Sequence, residues 1–332
     1  MQSLDLGVLR DALNWHQAGH AVTLFTVVQT WGSAPRPPGA LLALRDDGVL
    51  SGSVSGGCVE DDLIARVKAG DGGGAALEKP ALITYGVSKE EATRFGLPCG
   101  GTLRLLQEPL LDAAWVAQLL ARTAAHELVA RSVTLATGAV LLASAQPGQG
   151  LRFDGATLCS VFGPQWRLLL IGAGQLSQAV ASIAVMLDFE VLVCDPREEY
   201  AATLGSGQPG IQRIEGMPDD VVREMVPDAH TAIVALTHDP KLDDMALIEA
   251  LQSAAFYVGA LGSKPNQDAR KQRLAEHFDL SAEALDRLHG PVGLALGAKT
   301  PAEIAVAIVA EIVQIKNVVA GAPASSVGCE IP

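Results

Sequence analysis

Two cysteines in the first half of the chain stand among glycines. Residues 53–60 read SVSGGCVE, so Gly56 and Gly57 directly precede Cys58, and 98–101 read PCGG, so Gly100 and Gly101 follow Cys99. Paired glycines let a bulky ligand approach both backbone and thiol. Small residues fill the stretch before Cys58, Ser55 among them. DDLIARVK after it reads as a helix, which puts Cys58 near a helix N-terminus, where a thiolate is favoured. Glu60, Asp61 and Asp62 work against that, because nearby negative charge disfavours a second anion. The competing reading is a small buried thiol at a tight turn. Cys159 and Cys194 lie in the apolar runs TLCSVF and VLVCD and read as core thiols.

Arg36, in GSAPRPPG at 32–39, is pinned by prolines. It is either a clamp for phosphate or carboxylate or a solvated loop arginine. Further along, GAGQLS at 172–177 follows the strand-like RLLLI and opens a helix-like run. In a dinucleotide fingerprint Gly172 makes the tight turn, Gly174 lets backbone approach a pyrophosphate, and the backbone amides of residues 173 to 177, Gln175 among them, meet the anion. Ser177 replaces the third glycine. Asp195 stands at the offset expected of a ribose-binding carboxylate. His238 and Asp239 follow the strand-like HTAIVALT, where an open α/β sheet places ligands. They fit a metal or acid/base role, or a turn with a satisfied imidazole.

The elements that must carry these residues follow from periodicity and length. At 332 residues two domains are expected. We place the boundary between about 148 and 166, with 1–150 a thiol-bearing α/β domain and 151–332 a Rossmann-type domain. From Trp166 onward β and α patterns alternate, which predicts a doubly wound, mainly parallel sheet. In the first half, helices are expected over 4–19, after Cys58, over 88–95 and over 112–125. Strands are expected at 21–29, ALLALR, ALITYG, TLRLLQEPL, 131–144 and 156–162. A final helix is expected from 301 to 319, capped by Thr300 and Glu303.

Composition limits the function classes. A formal net charge of −13 argues against a nucleic-acid surface. No stretch is apolar for long enough to span a bilayer. The N-terminus reads as an amphipathic helix and not as a signal peptide, so a cytoplasmic protein is expected. Five cysteines without zinc-ligand spacing suit neither a disulfide framework nor a zinc site.

In this order, the motifs resemble the XdhC/CoxI family of molybdoenzyme maturation factors. The resemblance rests on TWGSAPRPPGALLAL, GSVSGGCVEDDL and FGLPCGGTL in the first half. In the second half it rests on LLLIGAGQLSQAVA, VCDPR, LTHDPKLD, YVGALGSKPN and GLALGAKTPAEIAVAIVAEIV. It implies a chaperone that binds molybdenum cofactor, as molybdopterin or its cytosine dinucleotide. Such a chaperone promotes exchange of an oxo for a sulfido ligand, with a cysteine desulfurase as sulfur source. It then delivers the cofactor to a molybdenum hydroxylase of the xanthine dehydrogenase or aldehyde oxidoreductase class. Cofactor-synthesis enzymes and a second copy of the chain are the further partners implied. By the same resemblance Cys58 is the first candidate to contact cofactor and molybdenum, and Cys99 the second. The Rossmann half would hold a phosphate or the nucleotide end. Many relatives read GLDIGA where residues 293–298 read GLALGA, so Ala295 lacks their carboxylate. The rival reading is an NAD(P)-dependent oxidoreductase. It explains GAGQLS and Asp195 but leaves both cysteine motifs without a task.

Overall fold

The computed structural model describes residues 3–31, 36–69, 77–86, 102–146, 148–201 and 210–319; of Cys58 only the backbone is described. The chain divides into two compact units, 1–164 and 165–332.

The first unit contains α1 (Ser3–Gln17), β1 (Val22–Trp31), β2 (Leu41–Arg45), β3 (Leu50–Gly52) and α2 (Cys58–Lys68). These are followed by β4 (Ala81–Tyr85), β5 (Thr102–Pro109), α3 (Ala114–Ala124), β6 (Val129–Thr134), β7 (Val140–Ser144), β8 (Arg152–Phe153) and β9 (Thr157–Phe162). The first five strands form one sheet in the order β3-β2-β1-β5-β4, and the rest a second in the order β7-β6-β9-β8. Every pairing in both sheets is antiparallel. The run VTLFTVVQTW of β1 is apolar and β-branched, and its first seven residues are buried, as a strand covered on both faces requires.

Alternation along the first sheet sorts its side chains into two layers. Leu24, Leu41 and Ala43 join Leu6, Leu9 and Ala12 of α1 on one face. Phe25, Leu42, Leu44, Leu103 and Leu105 join Val59, Leu63 and Val67 of α2 on the other. The helix that begins at Cys58 is therefore held by its own apolar stripe, and its first turn sits where β3 delivers the chain. The division between units falls after Pro164, later than residue 150. β8 and β9 pair with each other and β9 with β6, so residues 151–164 belong with the first unit.

The second unit runs β10 (Arg167–Ile171), α4 (Gln175–Met186), β11 (Glu190–Cys194), α5 (Glu198–Ala201), β12 (Ile211–Ile214), α6 (Pro218–Met225), β13 (Thr231–Ala235), α7 (Pro240–Gln252), β14 (Tyr257–Ala260), α8 (Lys264–Phe278), α9 (Ala282–Asp286), β15 (Leu288–His289) and α10 (Pro301–Val319). Its six strands are ordered β12-β11-β10-β13-β14-β15, and every pairing is parallel. All five residues of β10 are buried, as are all five of β13. Leu169, Ile171 and Ile233 pack toward α6 and α7, and Leu168, Leu170 and Val234 toward α4 and α10. This is the doubly wound sheet expected, with the order reversing at β10. The capping of α10 is as expected too: Glu303 accepts from the amides of Lys299 and Thr300, while Thr300 Oγ1 accepts from the Glu303 amide. The short strands β8, β12 and β15 were not expected. Their burial patterns are brief or mixed, and only the neighbouring strand makes them visible.

Candidate functional site

The turn from β3 into α2 is built around one carboxylate. Glu60, third residue of the helix, is 5% exposed and folds back beneath the loop. Its Oε1 accepts from Ser53 Oγ (2.7 Å) and from the amides of Val54 (2.9 Å), Ser55 (2.8 Å) and Gly56 (3.2 Å). Its Oε2 accepts from the Gly57 amide (2.8 Å) and from Ser55 Oγ. Burial works to raise its pKa, but the hydrogen bonds from Ser55 and Ser53 prevail and hold the carboxyl at about 2. Glu60 is thus the structural centre of the motif, a role that the sequence reading missed because it weighed only the charge. The available signal was the spacing of serine, glycine and glutamate that marks a capped helix start.

Backbone geometry explains the small residues. Gly56 and Gly57 have φ of 88° and 150°, and Gly52, at φ 84°, leaves no room for a Cβ, which would stand 2.3 Å from the Leu41 carbonyl oxygen. A Cβ on Gly57 would meet nothing within 4 Å, and Gly56 and Gly57 are both exposed. Among the described residues, then, nothing packs on Gly57 beside Cys58. Ser55 does not offer its hydroxyl to a ligand: Oγ donates to Glu60 and accepts from the Val59 amide at 3.2 Å. Arg36 is tied to the same turn, its Nε donating to the Ser53 carbonyl at 3.2 Å. Asp62 accepts from the Tyr85 hydroxyl at 2.9 Å. Cys99, Gly100, Gly101 and the helix expected at 88–95 lie outside the described residues.

In the second unit, Gly172 has φ 108°, and a Cβ there would come within 3.1 Å of the backbone of Leu236 and Thr237. Gly174 caps α4 with nothing within 4 Å of a Cβ, and Gln175 beside it is exposed. Ser177 is buried with its hydroxyl unpartnered; it fits the place of the third glycine because it is small.

Asp195 departs from its expected use. It is 3% exposed, and its carboxylate accepts from the Ala173 amide (2.9 Å) and from Nε and Nη2 of Arg197 (2.9 and 2.8 Å). Burial raises its pKa, but these partners outweigh it and keep the carboxyl below its ordinary value. Oδ2 braces the glycine turn through Ala173 and also takes Arg197, while Oδ1 takes the amide and Nε of Arg197, so both oxygens have partners within the chain. Arg197 lies over the Tyr200 ring at 4.1 Å.

His238 is exposed with φ 62°, and Asp239 does not pair with it but caps α7 through the Lys241 amide at 2.9 Å. Behind them Asp243 accepts from the amide and hydroxyl of Thr237 and from Arg270, which also bonds Asp244. That buried network fixes the loop after β13. It was not legible in sequence, because Arg270 arrives from α8. Among the described residues, no group of three His, Cys, Asp or Glu side chains could hold a metal ion. The Cys194 thiol is buried, and burial, with Asp195 adding, pushes its pKa up to about 12. Ala295 is exposed in the loop before α10.

A model of the XdhC and CoxI family matches residues 15–86, and one of the XdhC Rossmann domain matches residues 168–312. Together they take in well over half of the chain. The chain belongs to the XdhC and CoxI family. The first match holds the whole turn from Gly52 to Glu60, and the second the turn from Gly172 to Ser177. Cys99 lies in neither. The chain is 27% identical over 318 residues to the molybdenum cofactor insertion chaperone PaoD of Escherichia coli, covering 93% of this chain and 88% of that protein. It is 28% identical over 323 residues to a probable xanthine dehydrogenase subunit of Bacillus subtilis, covering 90% and 94%. In structure it is similar to a xanthine dehydrogenase from Bacillus halodurans, with TM-score 0.73 and 23% identity over 95% of this chain and 96% of that one, which supports the fold.

Proposed function

We propose that this protein is a molybdenum-cofactor insertion chaperone, a maturation factor and not a turnover enzyme. The observation that carries the reading is similarity along nearly the whole chain to a protein named for that function. The thiol turn is compatible with it. Cys58 begins α2 beside two exposed glycines, and among the described residues nothing lies within 4 Å of a Cβ on Gly57, which leaves the backbone there approachable by a ligand. A cysteine sulfur is a soft donor suited to a soft metal centre. Cys58 is the residue assigned to contact the cofactor and its molybdenum, with Cys99 second and Arg36 an anion contact at the same turn. The Rossmann unit takes a phosphate or the nucleotide end of the cofactor at the amides of Gly174 and Gln175.

In finer detail, the cofactor is sulfurated while bound, with a cysteine desulfurase as source, and passes to a molybdenum hydroxylase in the cytoplasm; the chaperone acts as a homodimer. Among the described residues no helix is long and apolar enough to cross a membrane. The oxidoreductase alternative is not favoured, because the carboxylate it needs for a ribose is spent on Ala173 and Arg197. The test is to purify the protein from cells that make molybdopterin and assay bound pterin and molybdenum. Near-stoichiometric cofactor supports the chaperone; none, together with tight nicotinamide binding and turnover, overturns it.

A further inference from the structure

The turn that delivers Cys58 has the shape of an anion site: four consecutive backbone amides, from Val54 to Gly57, converge on one point. Such concavities bind phosphates and carboxylates from outside the chain. Here the occupant is internal. Glu60 receives all four amides and two serine hydroxyls, at 2.7 to 3.2 Å apart from the still closer Ser55 hydroxyl. Ser53 Oγ also receives the Gly56 amide at 3.0 Å, and Ser55 Oγ the Val59 amide at 3.2 Å, so the serines bind the carboxylate and close the loop at the same time. Gly56 and Gly57 at positive φ gain no support from side chains of their own. Without the carboxylate, the amides of Val54, Ser55 and Gly57 would lose the acceptor they have here and that of Gly56 would keep only Ser53 Oγ, so the turn would lose most of what holds this form.

We infer that Glu60 is the positioning residue of the thiol turn: it fixes the backbone from which Cys58 starts α2 and fills the anion place that a cofactor phosphate would otherwise claim. This rests on the proposed role of Cys58 and deepens it. The cofactor meets a rigid rim at the thiol whose anion place the Glu60 carboxylate already fills, and its phosphate is held elsewhere.

The test compares wild type with Glu60→Ala, both full-length and co-expressed with molybdopterin synthesis. Amide hydrogen exchange at residues 54–57 and pterin retained after gel filtration are measured, with and without tens of millimolar formate. In Glu60→Ala the four amides lose protection while those of β1 keep theirs, and retained pterin falls about tenfold, the lower end for loss of a group that orients a ligand donor. Formate enters the vacated place and restores both; chloride at equal ionic strength restores neither. A merely structural carboxylate would lower the melting temperature without rescue by formate. Should Glu60→Ala not fold, Glu60→Asp, one methylene shorter, shows the same selective loss in smaller measure. Amides that stay protected in the variants, or formate that restores nothing, overturn the inference. Wild type lacking pterin would instead sink the proposed function, while exchange and formate would still judge Glu60.

Discussion

At the scale of single residues, the chain contrasts a cysteine at a helix start with cysteines in strands, only one of them in a core. Cys194 is fully buried in β11, and Cys159 lies part-buried in β9. Cys58→Ala is expected to leave the fold intact, because a small residue replaces a small one at a turn. Pterin content of the purified protein and activity of a co-expressed molybdenum hydroxylase should both fall sharply. Cys194→Ala should lower stability by about 1 kcal/mol with pterin unchanged. Full cofactor and full activation in Cys58→Ala would make that thiol structural. Glu60 supplies a pH dependence. Its carboxyl stands at about 2 in the fold against an ordinary 4.5, so its contribution is complete above about 4.5 and is lost as pH falls toward 2. The unfolding free energy of wild type should therefore exceed that of Glu60→Gln most above pH 4.5. The gap should narrow on acidification, as measured by urea melts at stepped pH. A gap that widens toward acid would contradict the assignment.

At the scale of elements, glycine turns join each candidate site to its strand. Gly172 leaves β10 at φ 108° against the end of β13, where a Cβ would press on the backbone of Leu236 and Thr237 at 3.1 Å. Gly172→Ala should cost about 1–3 kcal/mol in a denaturant melt, from the backbone conformation alone before the close approach is added. Gly174→Ala, whose Cβ meets open space at φ −69°, should cost far less. Equal losses would mean that the turn relaxes. These turns were legible in sequence, since only glycine fits their spacing between a strand and a helix. The partners that brace them were not. Asp195 looked like a ribose ligand by its offset, yet it holds the Ala173 amide and Arg197. His238 and Asp239 looked like a pair, yet Asp239 caps α7 and His238 stands exposed. Offset along a chain places a side chain near a site but does not say which of several donors it meets.

At the scale of the molecule, the two units have different sheet logic: antiparallel in residues 1–164, parallel in 165–332. The parallel sheet keeps the Rossmann plan, but the Asp195–Arg197 pair takes the carboxylate that a dinucleotide ribose would use. Titration with NADH and NADPH, followed by fluorescence, should show weak binding or none. Stoichiometric binding at micromolar concentration, accompanied by substrate turnover, would restore the oxidoreductase reading.

The sequence alone determined the parallel β/α series after Trp166, the capped final helix and the family, because periodicity, capping and motif order are local properties. It placed Cys58 at a helix start for the same reason. Only the tertiary structure decided what the carboxylates do. Glu60 could repel a thiolate or bind four amides, and Asp195 could bind a ribose or brace a turn. The choice depends on which donors the folded backbone brings within hydrogen-bonding reach, and burial beside those donors makes the internal bonds prevail over an external ligand.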